Sequence, residues 1–123
     1  MVYLIEDDKS IMRGFELFLR SADMEYKSFE TATSFLDENS LQVNDILVLD
    51  MNLPGMMGHE LLKSLHEMNI YVPTIVITAN DDEDNRQVCR EYGVKAYLRK
   101  PVDGEALIDI IKFHRGSRID IIE

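Results

Sequence analysis

Asp45-Ile-Leu-Val-Leu-Asp50-Met-Asn-Leu-Pro54-Gly55 is the stretch on which the fold turns. Ile46, Leu47, Val48 and Leu49 run without polar alternation, the pattern of a strand buried on both faces. Such a strand belongs in a parallel sheet covered by helices. Asp50 stands where the strand ends and the Pro-Gly turn begins. In open parallel sheets that end is where ligands and chemistry collect.

Upstream of this stretch, Val2 to Ile5 reads as a first short strand, closed by Glu6, Asp7 and Asp8. Ile11, Phe15, Phe18, Leu19 and Ala22 then make an apolar stripe at helical spacing, which predicts a helix from about Lys9 to Ser21. Glu25 to Phe29 is a second strand. Thr31 or Thr33 caps a short helix through Phe35 and Leu36. Downstream, Leu61, Leu62, Leu65 and Met68 form another helical stripe. Thr74 to Thr78 is a strand rich in β-branched residues. A helix through Val88, Cys89 and Tyr92 stops at Gly93. Lys95 to Arg99 is the fifth strand, followed by Lys100-Pro101. Asp103 caps a last helix whose inward residues are Ala106, Leu107, Ile110 and Ile111. Strict alternation of five strands and five helices predicts right-handed βαβ units and a doubly wound α/β fold.

The chain has 123 residues, enough for one domain with a sizeable core. A hydrophobic share of 46% beside 29% charged residues is ordinary for a globular domain. The single cysteine, Cys89, excludes an internal disulfide and agrees with a reducing compartment. No apolar run is long enough to span a membrane, and the N-terminus lacks the pattern of a signal peptide, so the expected location is the cytoplasm. The net charge of −10 repels nucleic-acid phosphates, so direct nucleic-acid binding by this domain is not expected.

The strand ends share one address. Glu6 and Asp7 close the first strand, Asp50 the third, Thr78 the fourth and Lys100 the fifth. In a doubly wound sheet these ends line one edge, with the first and third strands at the switch point. Clustered carboxylates persist when a cation holds them or when some are protonated. All-oxygen ligation favours a hard cation such as Mg²⁺. Lys100 adds a point charge suited to phosphate, and Thr78 a hydroxyl donor. Together they suit phosphoryl transfer, with a carboxylate as nucleophile. No histidine or cysteine is placed for that role, so Asp50 is the candidate.

These residues carry a resemblance. Glu6-Asp7-Asp8, the run from Leu49-Asp50 through Pro54 to Gly58, Thr78-Ala79, and Tyr97-Leu-Arg-Lys100-Pro101 resemble the response regulator receiver domain of two-component signalling, over about residues 1 to 114. The resemblance implies a flavodoxin-like sheet of order 2-1-3-4-5 and a role for each residue. Asp50 would accept a phosphoryl group from a sensor histidine kinase. Asp7 would ligate Mg²⁺, with Glu6 helping, Asp50 contributing and the backbone carbonyl of Asn52 completing the protein's share. Lys100 would pair with Asp50. Thr78 would swing toward the phosphoryl group and Tyr97 would move inward behind it. Lys100-Pro101 would be a cis peptide. The fourth helix, fifth strand and fifth helix would form the moving face, with homodimerisation on phosphorylation an expected consequence. Residues 115–123 would be a tail or the start of a linker to an effector domain. The apolar Ile119, Ile121 and Ile122 favour a continuation or a tail that packs on something. Met57 departs from an acid common in relatives. Asn52 and Asn80 occupy positions that tune phosphoryl lifetime in the family.

Other signals have plainer readings. Asp8 reads as a helix cap, His59 and His66 as solvated, and Cys89 as a packed residue. Asn80, Asp82, Asp84 and Glu91 match four positions of a calcium loop, but Asn85 stands where that loop needs glycine and a strand precedes it. Two competing functions remain. One is a haloacid dehalogenase-like phosphotransferase, which needs an acid where Asn52 stands; the other is an interaction module that works without phosphorylation.

Overall fold

A computed structural model of the chain describes residues 1–37, 41–42, 44–53, 55–79 and 82–115. Strands β1 (Val2–Ile5), β2 (Tyr26–Phe29), β3 (Ile46–Asp50), β4 (Thr74–Thr78) and β5 (Ala96–Arg99) alternate with helices α1 (Lys9–Ser21), α2 (Ala32–Leu36), α3 (Gly58–Glu67), α4 (Glu83–Glu91) and α5 (Gly104–His114). The sheet is parallel throughout, in the order β2-β1-β3-β4-β5. This is the expected doubly wound topology. Pro54, Asn80 and the residues beyond 115, among them Ile119, Ile121 and Ile122, lie outside the described residues.

The pleat divides the core in two. Tyr3, Ile5, Leu47, Leu49 and Val76 point to one face and meet Ala32 and Phe35 of α2, Leu61, Leu62 and Leu65 of α3, and Cys89 of α4. Val2, Leu4, Ile46, Val48, Ile75 and Ile77 point to the other and meet Phe15 and Leu19 of α1 and Leu107, Ile108 and Ile111 of α5. Every residue of β1, β3 and β4 is buried, which is why these strands lack polar alternation.

The caps are where side-chain chemistry puts them. Asp8 accepts from the backbone N–H groups of Ser10 and Ile11 at 2.9 and 3.1 Å. Thr31, rather than Thr33, accepts from the Ser34 N–H. Asp82 and Asp103 cap α4 and α5. The acidic first turn of α4 is therefore explained by capping and the helix dipole. Gly93 takes φ +68° just beyond α4.

Some apolar positions differ from expectation. Met68 is the C-cap of α3 and is 52% exposed, because the helix ends before the stripe returns inward. Phe18 is 40% exposed, on the flank of the α1 stripe, and reaches Gly104 instead. On α5, Ala106 is exposed and Ile108 is buried, so the inward face is rotated toward Ile108. No helix among the described residues is long and apolar enough to cross a membrane.

Candidate functional site

Strand register assembles the site. Ile5 is paired with Leu49, so Glu6 and Asp50, the next residues along, emerge side by side. Asp50 is paired with Ile77, which places Thr78 one step beyond, and Thr78 is paired with Arg99, which brings Lys100 to the same edge. The Lys100-Pro101 peptide is cis, as the resemblance implied. Each candidate therefore reaches the crevice because its strand ends there.

Glu6 and Asp50 are almost wholly buried, 1% and 4% exposed. The Lys100 ammonium lies 2.9 Å from Glu6 Oε1 and 3.3 Å from Asp50 Oδ2. It thus compensates two buried carboxylates with one charge, and the group of Glu6, Asp50 and Lys100 keeps a net deficit of positive charge. Burial first, then contact with Asp50, lifts the Glu6 carboxyl to about 7, although Lys100 and the Asp8 N–H pull the other way. For Lys100, burial opposes the charged form, but its bonds to Glu6 and Asp50 and their fields outweigh this and raise its pKa.

Asp7 is exposed, yet one of its oxygens comes within 4.8 Å of an oxygen of Glu6 and one of Asp50. Three converging carboxylates form a hard-oxygen set with the charge deficit a cation would fill, and the donor chemistry fits a divalent hard cation.

Asn52 joins two parts of the site. Its backbone N–H donates to Asp50 Oδ1 at 3.1 Å, and its side-chain amide donates to Thr78 Oγ1 at 3.4 Å. Thr78 is fully buried. Tyr97, on β5, stands farther out: its ring is half-buried against the α2–α4 face of the core and its hydroxyl oxygen is buried.

Two supporting contacts escaped the sequence reading. Gly58 opens α3, and its N–H donates to the Met51 carbonyl at 3.0 Å. A Cβ there would stand 2.7 Å from Met51 Cα, so only glycine lets the chain after Asp50 fold back so closely. The glycine was visible in sequence; the return onto Met51 was not. Arg86 of α4 places its guanidinium 5.1 Å from the centroid of the Tyr97 ring, a contact between elements with no local signature.

A doubly wound sheet with three carboxylates, a lysine and a buried threonine at its carboxyl edge carries a polar crevice where such sheets bind ligands. The family model of the response regulator receiver domain matches residues 2–112. The chain belongs to that family: it is the receiver domain of a two-component response regulator, a signalling switch. It is 32% identical over 111 residues to Nodulation protein W of Bradyrhizobium diazoefficiens, covering 90% of this chain and 49% of that protein. It is 30% identical to the DNA-binding transcriptional regulator NtrC of Klebsiella pneumoniae over 90% of this chain and 24% of that protein. The structure of response regulator StyR superposes with a TM-score of 0.85 at 34% identity, covering 96% of this chain and 59% of that one. The chain thus spans half or less of the length of these two curated relatives. Receiver domains of response regulators interact with histidine kinases and effector domains.

Proposed function

We propose that Asp50 accepts a phosphoryl group from the phosphohistidine of a sensor histidine kinase. One Asp50 oxygen forms the new bond to phosphorus while the bond from phosphorus to histidine nitrogen breaks, and the electron pair leaves with the imidazole. The observation that carries this reading is the pairing of Lys100 with Asp50 beside three carboxylate oxygens mutually within 4.8 Å. A nucleophilic carboxylate is helped by positive charge beside the incoming phosphoryl oxygens; Lys100 stands ready to supply it on one side, and a cation held by the three carboxylates would supply it on the other.

Glu6, Asp7, Asp50 and the Asn52 backbone carbonyl are the residues that would hold Mg²⁺. Bound there, Mg²⁺ supplies neutralisation of the phosphoryl oxygens. Lys100 releases Asp50 Oδ2 and takes a phosphoryl oxygen in its place. Thr78 turns its hydroxyl toward the phosphoryl group and gives up the Asn52 amide, and the balance of Tyr97 shifts further toward its inward position. The α4–β5–α5 face then changes, and homodimerisation through that face is one output.

Residues 1–114 are the receiver domain in this reading, and 115–123 are a tail or the start of a linker to an effector domain. Transcriptional control through a DNA-binding domain is one output, as the name of NtrC suggests for that relative; protein-protein signalling is another. With a net charge of −10, this domain is not expected to contact DNA itself, and in a transcriptional output that contact would fall to an effector domain. The expected location is the cytoplasm. Turnover on small phosphate esters is not expected, because Asn52, engaged with Thr78, stands where that chemistry needs an acid.

Intact-mass spectrometry with acetyl phosphate tests the proposal. One added phosphoryl group that requires Mg²⁺ and is absent in Asp50→Asn is expected; no uptake from acetyl phosphate or from a cognate kinase would overturn it. An unchanged mass in light scattering after phosphorylation would remove dimerisation from the outputs.

A further inference from the structure

α4 is the helix least anchored in the core. Of its nine residues only Cys89 is buried. Its polar surface is tied up within itself: Arg90 pairs with Glu83 and bonds to Gln87. Such a helix depends on a few side-chain contacts to keep its place against the sheet. One is the edge contact between His66 of α3 and Tyr92 at the α4 C-cap, with ring centroids 5.6 Å apart. Another runs to β5, where the Arg86 guanidinium lies over the Tyr97 ring at 5.1 Å.

The Tyr97 contact has a direction. The hydroxyl oxygen is buried, whereas the residue as a whole is only half-buried, so the ring has its hydroxyl end inward. Arg86 is exposed, and its guanidinium lies over the ring face. A cation over an aromatic face favours the ring position that presents that face.

We propose that Arg86 is a positioning residue that holds Tyr97 in the inward, hydroxyl-buried position and so sets the resting balance of the α4–β5 face before any phosphoryl group arrives. It deepens the proposed function, since it rests on reading Tyr97 as a moving part of the switch. Its partner is internal: the aromatic face of Tyr97 itself. A helix held by so little buried apolar surface is one whose position a single cation–aromatic contact can bias.

Ring-carbon NMR of the unphosphorylated, metal-free chain labelled with ¹³C-tyrosine tests this directly, with the Tyr97 signal assigned by Tyr97→Phe. A soluble paramagnetic probe reports how exposed the ring is. In Arg86→Ala the inward population is expected to fall about two- to fivefold. Arg86→Lys keeps a cation and is expected to retain most of it, which a merely structural role would not require. Far-UV circular dichroism confirms that the variants fold. An unchanged Tyr97 signal in Arg86→Ala would overturn the proposal, as would an equal loss in Arg86→Lys. Phosphoryl uptake is measured in parallel. If Tyr97 moves in Arg86→Ala but the wild-type chain takes up no phosphoryl group, the positioning role stands and the phosphorylation reading falls.

Discussion

β3 and β5 lie in one sheet, separated only by β4, yet they are built differently. All five residues of β3 are buried, and its two neighbours in the sheet are themselves buried strands. β5 is an edge strand with no residue fully buried. β3 ends in Asp50, and β5 carries Tyr97 and leads into Lys100. In the proposed switch the phosphoryl acceptor, Asp50, stands on the most constrained strand. Of the residues proposed to shift, Tyr97 and Lys100 belong to the least constrained one, beside the weakly anchored α4, whereas Thr78 ends the buried β4. Rigid elements give precise sites, and mobile elements are drawn from the less stable parts of a fold.

The largest test of this contrast is core truncation. Leu49→Ala in β3 removes a fully buried side chain and is expected to cost about 2–5 kcal/mol in urea denaturation. Leu98→Ala in β5 removes a half-buried one and is expected to cost less than about 2 kcal/mol. Equal costs would break the comparison.

A second effect comes from Glu6, beside Asp50. Its carboxyl titrates at about 7 in the folded protein against 4.5 ordinarily. The folded state therefore holds this proton more tightly than the unfolded state. The resulting stability is fully present below about pH 4.5 and is lost as pH rises through 7, a change on the order of 3 kcal/mol. In metal-free buffer, Glu6→Gln is expected to remove this part of the decline between pH 5 and 8. Mg²⁺ is expected to raise the melting temperature of the wild type more at pH 8 than at pH 5. A wild type and Glu6→Gln pair with parallel pH profiles would show that Glu6 titrates normally.

The third effect joins the two strands. Lys100→Met removes the cation shared by Glu6 and Asp50 and is expected to cost roughly 1–3 kcal/mol at pH 8 and less at pH 5, where Glu6 is neutral. Thermal melts at both values check it. The smallest effect belongs to α4. Arg90→Ala breaks the exposed pair with Glu83 and is expected to cost less than about 1 kcal/mol.

What the sequence made legible follows the same division. β1, α1 and β4 fall at the bounds that hydrophobic pattern predicts, because a buried strand or a strongly amphipathic helix is decided by its own residues. Glu6, Asp7, Asp50, Thr78 and Lys100 were legible as neighbours because parallel strands bring like ends together. Less legible were the flanks of stripes, where Phe18, Met68 and Ala106 were expected inside and Ile108 was not. A stripe's width depends on which helix lies opposite. The pairing of Lys100 with Asp50 followed from the resemblance, but the fold-back of Gly58 onto Met51 and the seating of Arg86 on Tyr97 did not, since they depend on packing, which spacing does not encode.

The most direct measurement is intact-mass spectrometry of the chain after incubation with acetyl phosphate, with and without Mg²⁺, beside Asp50→Asn. Gain of a single phosphoryl group that needs both Mg²⁺ and Asp50 is the expected result. No gain in any condition, or a gain that persists in Asp50→Asn, would contradict the assignment of Asp50 as the phosphoryl acceptor.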